Sequence, residues 1–141
     1  MVAQFGVIAA IAALWLVPAR LDAPAVQGIA LAVAAAGILL IGSAYRAMGR
    51  SFTAFPRPRA SGELVSSGPF RFVRHPTYGG GLLLFSGVSL AVGLAGLIGA
   101  AALLVLWWRK AVLEERLLME RFPAYAAYRR RVRRRFLPWL F

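Results

Sequence analysis

The sequence predicts an all-α integral membrane protein, a bundle of four transmembrane helices followed by a basic cytoplasmic C-terminal helix. Of the 141 residues, 60% are hydrophobic, and many of these lie in long uncharged runs, yet the formal net charge is +12. Membrane helices with charged loops combine these two properties more easily than a soluble globule does. A single membrane domain, residues 1–141, is therefore expected. Its spans are predicted near residues 2–18, 24–45, 77–92 and 95–113, with cytoplasmic segments at 46–76 and 114–141.

The third uncharged run is too long for one span. No residue from Thr77 to Trp108 is charged, and a continuous helix of that length would measure roughly 48 Å, against a hydrocarbon core of about 30 Å. Two glycines at residues 93–96 allow a tight reversal of the chain. The third and fourth spans are therefore predicted to form a helical hairpin.

The distribution of basic residues predicts the orientation. Arg20 is the one basic residue between the first two runs, whereas several Arg lie between residues 46 and 74 and many more follow Trp108. The positive-inside rule assigns both basic segments and both termini to the cytoplasm. Abundant Arg and Ala favour a bacterial inner membrane. A cleaved signal peptide ending near Ala19 is the competing interpretation. A signal peptide requires a basic residue before its apolar run, however, and no Lys or Arg precedes the first apolar run here.

The composition restricts the chemistry that the chain can perform. It has no cysteine, one histidine and five acidic residues, which excludes thiolate zinc sites and cysteine nucleophiles and predicts no metal centre. Any chemistry must use Arg, Glu, Tyr, the lone histidine and backbone groups.

The first cytoplasmic segment ends in a polar motif at the predicted start of the third span. Pro76 suits the first position of a helix, where its missing N–H costs nothing. Arg71, Arg74 and the free amides of that helix end form a candidate seat for a carboxylate or phosphate. The glycines at 79–81 would let a ligand or a neighbouring helix approach. Two alternatives remain. Both Arg could bind lipid headgroups, and His75 could be a helix-capping or interfacial residue instead of a base.

The second cytoplasmic segment contains an unusual acid. Glu114 and Glu120 each have a basic residue four positions earlier, Lys110 and Arg116, and so have ordinary helix-surface explanations. Glu115 has apolar neighbours at three and four residues. A carboxylate on the apolar face of a helix leaving a membrane is costly unless it is paired. Its expected partner is a cation from the other cytoplasmic segment, or a charged ligand.

The end of the chain has the composition of an interfacial helix. Tyr125 and Tyr128 lie at helical spacing, and six Arg follow at 129–131 and 133–135. Binding of these Arg to anionic lipid headgroups is expected, whereas nucleic-acid binding is not expected beside a membrane span.

A sequence of motifs in this order resembles a known family. The stretch Gly68 to Gly79, with its Arg-His-Pro-Thr-Tyr core, precedes an apolar hairpin, the pair Glu114-Glu115, and Tyr125-x-x-Tyr128. This order resembles the isoprenylcysteine carboxyl methyltransferase family, to which the phospholipid N-methyltransferases are related, over residues 49–138. The resemblance implies a cytoplasmic S-adenosylmethionine pocket closed by the C-terminal segment. It also implies a lipophilic acceptor that enters from the bilayer and carries an isoprenylcysteine carboxylate, a phospholipid amine or a thiol.

The resemblance assigns residues to that pocket. One side would be lined by Arg74, His75, Pro76, Tyr78 and Gly79, and the other by Glu114 and Glu115. Arg71 or Arg74 would hold the carboxylate of the cofactor, and Glu115 would face its ribose, amine or sulfonium. The expected catalytic residues are Arg74, His75 and Glu115, with His75 or Glu115 as the base for an amine acceptor.

Two other functions are alternatives: a membrane reductase and a non-catalytic lipid-binding protein. The Arg-His and Tyr-Gly pattern is similar to that of membrane sterol reductases, which would imply NADPH as the ligand. A non-catalytic lipid-binding membrane protein would need the Arg and aromatic residues, but no acid on an apolar helix face.

Overall fold

The computed structural model describes residues 23–49, 64–92 and 94–138, and within these ranges the chain is helical and contains no β-strand. The helices are α1 (Pro24–Met48), a short 3-10 helix (Gly68–Arg71), α2 (Pro76–Val92), α3 (Leu94–Arg121) and α4 (Tyr125–Arg131). The predicted all-α class is confirmed. The predicted first span and the signal-peptide alternative lie outside the described residues.

Local sequence explains where the helices begin and end. Proline occupies the first position of both α1 and α2, where a missing N–H breaks no intrahelical bond. Gly49, directly after α1, has a φ of 46°, a left-handed conformation that glycine adopts without a steric penalty. Gly68 opens the 3-10 helix with a φ of 58°. Helix α3 extends beyond the predicted boundary at residue 113, so Glu114 and Glu115 lie within a continuous helix.

Helices α2 and α3 form the predicted hairpin. A Cβ placed on Gly96 would lie 2.8 Å from the Cα of Ser89, and one on Gly81 would lie 2.5 Å from the indole of Trp107. Because the earlier residue of α2 contacts the later residue of α3, the two helices run antiparallel. The close approach of Gly96 to Ser89 requires glycine, since any larger residue would collide with the backbone of α2.

Helix α1 packs on α2 through small residues. A Cβ on Gly87 would lie 2.5 Å from the carbonyl oxygen of Ala30 and 2.7 Å from the amide nitrogen of Ala34. Such backbone contact is typical of helix pairs in membranes, where dispersion forces dominate association.

Among the described helices, two are long and apolar enough to cross a membrane, α1 over Pro24–Met48 and α3 over Gly96–Arg121. Helix α2 has 17 residues, or about 26 Å at the usual rise. Large aliphatic side chains are exposed on α1, including Leu31 at 72% and Leu39 at 73%. Hydrocarbon is a better solvent than water for such a surface. These features agree with the predicted membrane protein, while its count of four spans stays a prediction.

The described residues divide into two compact units. One, the hairpin unit, contains residues 23–38, 81–92 and 94–107; the other, the polar unit, contains residues 39–49, 64–80 and 108–138. Leu103 and Ser89 are fully buried in the hairpin unit. The core of the polar unit is an aromatic and aliphatic cluster of Tyr125, Tyr128 and Val132, flanked by Leu64, Leu118 and Phe122. Every residue singled out for chemistry lies in the polar unit.

Candidate functional site

The centre of the polar unit is the buried carboxylate of Glu115, on α3. Its Oε1 accepts hydrogen bonds from Nε of Arg74 at 2.9 Å and from Nε of Arg135 at 3.1 Å, and it lies 3.3 Å from Nε2 of His75. Its Oε2 lies 3.6 Å from Nε of Arg129. The side chains of Glu115 and Arg74 are only 3% and 5% exposed. The cation that the sequence required for Glu115 is therefore Arg74, from the segment before α2.

Arg74 also holds the last described stretch of the chain, residues 132–138, which we call the C-terminal segment. Its Nη1 donates to the carbonyl oxygens of Val132 at 2.8 Å and Arg133 at 2.6 Å. The backbone N–H of Arg74 donates to the carbonyl of Arg134 at 2.9 Å, and that of His75 to the carbonyl of Arg135 at 2.7 Å. Hydrogen bonds to a charged donor are stronger than neutral ones. Arg74 therefore connects α3, the segment before α2, and the end of the chain.

Gly79 allows the C-terminal segment to lie against α2. A Cβ on Gly79 would overlap the backbone carbonyl oxygen of Phe136, and backbone cannot move aside as a flexible side chain can. The sequence predicted the approach of a ligand or a neighbouring helix at these glycines; at Gly79 the structure instead shows the non-helical C-terminal segment.

Glu114 forms a second, less buried polar group with His75. Tyr78 Oη donates to Oε1 of Glu114 at 2.6 Å, and Lys110 Nζ lies 3.9 Å from the same oxygen. Oε2 of Glu114 lies 3.6 Å from Nδ1 of His75. The Glu114 side chain is 15% exposed. The two nitrogens of His75 thus face two different carboxylates, Glu114 and Glu115.

Aromatic rings enclose the imidazole of His75. It stacks on Tyr78 with the ring centroids 5.5 Å apart, and the edge of Phe136 meets it at 6.2 Å. Phe136 also contacts Trp108 at 5.9 Å, and the guanidinium of Arg135 lies 4.3 Å from the centroid of the Trp108 ring. This cation–π contact and the rings restrict the orientations of His75 and Arg135.

Two tyrosines of α4 lie next to the carboxylate cluster. Tyr128 Oη donates to the carbonyl of Phe70 at 2.8 Å, and burial raises the pKa of Tyr128 to about 12. Burial and the nearby charge of Glu115 raise the pKa of Tyr125 well above its ordinary value. The Tyr125 residue is 1% exposed, and its hydroxyl has no hydrogen-bond partner in the described part of the chain.

The structure brings together most of the residues that the sequence singled out. Glu114, Glu115, Arg74, His75 and Tyr78 form one connected polar cluster. Two other predicted site residues, Pro76 and Gly79, lie in the first turns of α2. Pro76 is fully buried at the first position of that helix, and Gly79 contacts the backbone of the C-terminal segment.

Arg71 is exposed, at the end of the 3-10 helix, and is not among the described residues that contact either glutamate. The predicted anion seat at the start of α2 is also different from expectation. Glu115 and main-chain carbonyls of the C-terminal segment, rather than an external anion, contact Arg74.

Sequence reasoning missed four contributors to this site: Trp108, Arg129, Arg135 and Phe136. The Arg run was assigned as a whole to lipid headgroups, because six neighbouring Arg have identical chemistry. One signal was available for Arg129: it follows Tyr125 by four residues, and so lies on the same face of α4 as a buried ring. No local pattern distinguishes Arg135 from Arg133 or Arg134.

Comparison with known proteins identifies a family for this chain. The family model for phospholipid methyltransferase matches residues 26–125, which are 100 of the 141 residues of the chain. The match includes all but the first two residues of α1, the hairpin, and both glutamates of the polar cluster. A comparison with curated proteins found no match. The extent of the family match, together with the apolar helices and the buried polar cluster, shows that this chain is a membrane protein of the phospholipid methyltransferase family.

Proposed function

We propose that the protein transfers a methyl group from S-adenosylmethionine to a lipophilic acceptor at the membrane surface. The observation that carries the proposal is the convergence of Arg74, His75 and Tyr78 with Glu114 and Glu115 within the segment that the methyltransferase family model matches. Buried charges are expensive, and their concentration in one cluster of a small apolar protein favours a functional role.

The residues of the polar cluster fit such a cofactor. When bound, S-adenosylmethionine supplies an electrophilic methyl group on a sulfonium, and it also carries an ammonium, a carboxylate and ribose hydroxyls. Glu114, which is 15% exposed, suits an ammonium or a hydroxyl. The Arg side chains around Glu115 suit an anionic group. Displacement at a methyl group needs positioned reactants and the exclusion of water more than covalent help.

His75 is the candidate base for an amine acceptor. An ammonium acceptor must lose a proton before its nitrogen can attack, whereas a carboxylate or thiolate acceptor needs no base. The Nδ1 and Nε2 atoms of His75 lie 3.6 Å and 3.3 Å from Glu114 and Glu115, so either carboxylate could accept a hydrogen bond from the protonated ring. Arg74 and Glu115 would position that ring.

The apolar exterior of the helices favours an acceptor that reaches the site from the bilayer, with an isoprenylcysteine-like carboxylate, a phospholipid amine or a thiol as its reactive group. We further propose a bacterial inner membrane, with both termini and the polar unit in the cytoplasm. The exposed Arg130 and Arg131 of α4 would there bind anionic headgroups.

Isothermal titration of S-adenosylhomocysteine into the detergent-purified protein tests the proposal. We expect micromolar affinity in the wild type and at least a tenfold loss in Glu114→Gln. Glu120→Gln is the matched control, since this acid lies on the same helix but is exposed, and its affinity should be unchanged. Transfer of a labelled methyl group to a lipid extract would then identify the acceptor.

Lack of S-adenosylhomocysteine binding by a folded wild-type protein would refute the proposal. NADPH would be titrated next, because binding of that ligand would favour a membrane reductase. Binding of neither ligand would favour a non-catalytic lipid-binding protein.

A further inference from the structure

The Tyr125 hydroxyl is a buried polar group that the described part of the chain leaves without a hydrogen bond. The residue is 1% exposed. Its neighbour Tyr128 is equally enclosed, at 4%, but donates to the carbonyl of Phe70. Burying a hydroxyl without a partner disfavours folding, and such groups are rare in native proteins. A phenylalanine would fill the same space without that cost, so the hydroxyl of Tyr125 requires an explanation.

The carboxylate of Glu115, whose charge acts on Tyr125, has more positive than negative charge around it. Tyr125 and Arg129 are one turn apart on α4, and Arg129 reaches Glu115. The single carboxylate of Glu115 contacts three guanidinium groups, those of Arg74, Arg129 and Arg135. Three positive charges and one negative charge leave a surplus of two. A second carboxylate would reduce that surplus.

Arg129 and Arg135 have more capacity for such a group than Arg74, because their side chains are 44% and 16% exposed. Arg74 already donates to Glu115 and to two main-chain carbonyls, and its side chain is 5% exposed. The side chain of Arg129 is 44% exposed, and it approaches Glu115 only to 3.6 Å. A guanidinium can serve two carboxylates, because it has five N–H donors in a planar arrangement.

We propose that the Tyr125 hydroxyl, with Arg129 and Arg135, binds the amino-acid carboxylate of the cofactor. This inference rests on the proposed use of S-adenosylmethionine and deepens it. It moves the carboxylate contact from Arg71 and Arg74 to the C-terminal part of the chain. Tyr125 then supplies a hydrogen bond that is made only when the ligand is present.

The test compares Tyr125→Phe with the matched variant Tyr128→Phe, by thermal unfolding without ligand and by titration. The first variant removes a hydroxyl without a partner, so its unfolding midpoint should equal or exceed that of the wild type. Its affinity for S-adenosylhomocysteine should fall at least tenfold, because a hydrogen bond to a carboxylate is lost. The second variant should unfold at a lower temperature and bind S-adenosylhomocysteine within twofold of wild type.

The chemical group is tested with 5′-methylthioadenosine, which keeps the adenosine and thioether but lacks the amino-acid part. Its affinity should be the same for Tyr125→Phe and the wild type. Arg129→Gln should likewise lower the affinity for S-adenosylhomocysteine and leave the affinity for 5′-methylthioadenosine unchanged. Arg130→Gln, at an exposed neighbouring position, should have no effect on either ligand.

Each result is decisive. Unchanged S-adenosylhomocysteine affinity in Tyr125→Phe, or an unfolding midpoint lowered as much as in Tyr128→Phe, would overturn this inference and leave the proposed function standing. An equal loss of affinity for both ligands would overturn the carboxylate assignment. A wild-type protein that binds no S-adenosylhomocysteine would overturn the inference and the proposed function together.

Discussion

Replacing Glu115 with Gln should destabilise the polar unit more than any other single change of charge on α3. The amide keeps the size of the side chain but removes the negative charge among Arg74, Arg129 and Arg135. It also replaces one acceptor oxygen with a donor that faces other donors. The cost therefore combines lost ion pairs with unmatched hydrogen-bonding groups.

The expected magnitude follows from the exposure of each pair. Arg74 is 5% and Glu115 3% exposed, so removal of one partner leaves a buried, uncompensated charge, at a cost of about 3–5 kcal/mol. The pair with Arg129 adds little, because that side chain is 44% exposed and solvent screens it. At about 1.4 kcal/mol per factor of ten, the unfolding equilibrium constant should rise at least a hundredfold.

The assay is equilibrium unfolding in mixed detergent micelles, with Glu120→Gln as the exposed control on the same helix. That control should differ from wild type by less than about 0.5 kcal/mol. The double variant Arg74→Met/Glu115→Leu should lose less stability than the two single variants summed. The double variant should still be less stable than the wild type, because the carbonyls of Val132 and Arg133 lose the donor that Arg74 supplies. If Glu115→Gln were as stable as Glu120→Gln, the pairing would have no energetic importance and our reasoning would be wrong.

Two further perturbations test other contacts of the polar unit. Gly79→Ala should lower stability by about 1–3 kcal/mol, because the new methyl group collides with the backbone of Phe136. In the same unfolding assay Gly28→Ala, whose methyl group meets nothing within 4 Å, should not lower stability, because alanine favours a helix. Tyr128 should stay protonated well above pH 10, since its pKa is about 12 in the fold. The folded state then binds more protons than the unfolded state between these values, so stability falls as the pH rises from about 10 to about 12. A phenolate absorbance titration of Tyr128→Phe should lose one of the late transitions; an unchanged curve would contradict the burial of the Tyr128 phenol.

The helices could be predicted because their causes are local. Uncharged runs set the position of α1 and of the hairpin, and prolines at 24 and 76 mark helix starts. The reversal near residue 93 followed from the length of the uncharged run, since one helix of that size exceeds the bilayer, and from the glycines at 93 and 96. The exact register of helix contacts was not predictable. Gly28 has no neighbour within 4 Å, whereas Gly87 packs on Ala30 and Ala34, because in an Ala-rich chain many small residues are equivalent in sequence.

Much of the polar cluster could also be predicted, for a different reason. An acid with apolar neighbours on its own helix must find a cation elsewhere, which correctly pointed from Glu115 to the segment that contains Arg74. Arg71 belonged to the same prediction, but it is exposed at the end of the 3-10 helix. Two Arg three residues apart differ only in where the backbone directs them.

By itself the sequence determined the helical class, the hairpin, and the need of Glu115 for a partner, because these follow from chain length, hydrophobicity and the cost of burying charge. Only the tertiary structure decided which cations surround that carboxylate and that the hydroxyl of Tyr125 lacks a partner. The physical reason is that Arg129 and Arg135 reach Glu115 from positions 14 and 20 residues away along the chain. Contacts at such separations depend on how α4 and the C-terminal segment fold back on α3, and no local periodicity records that path.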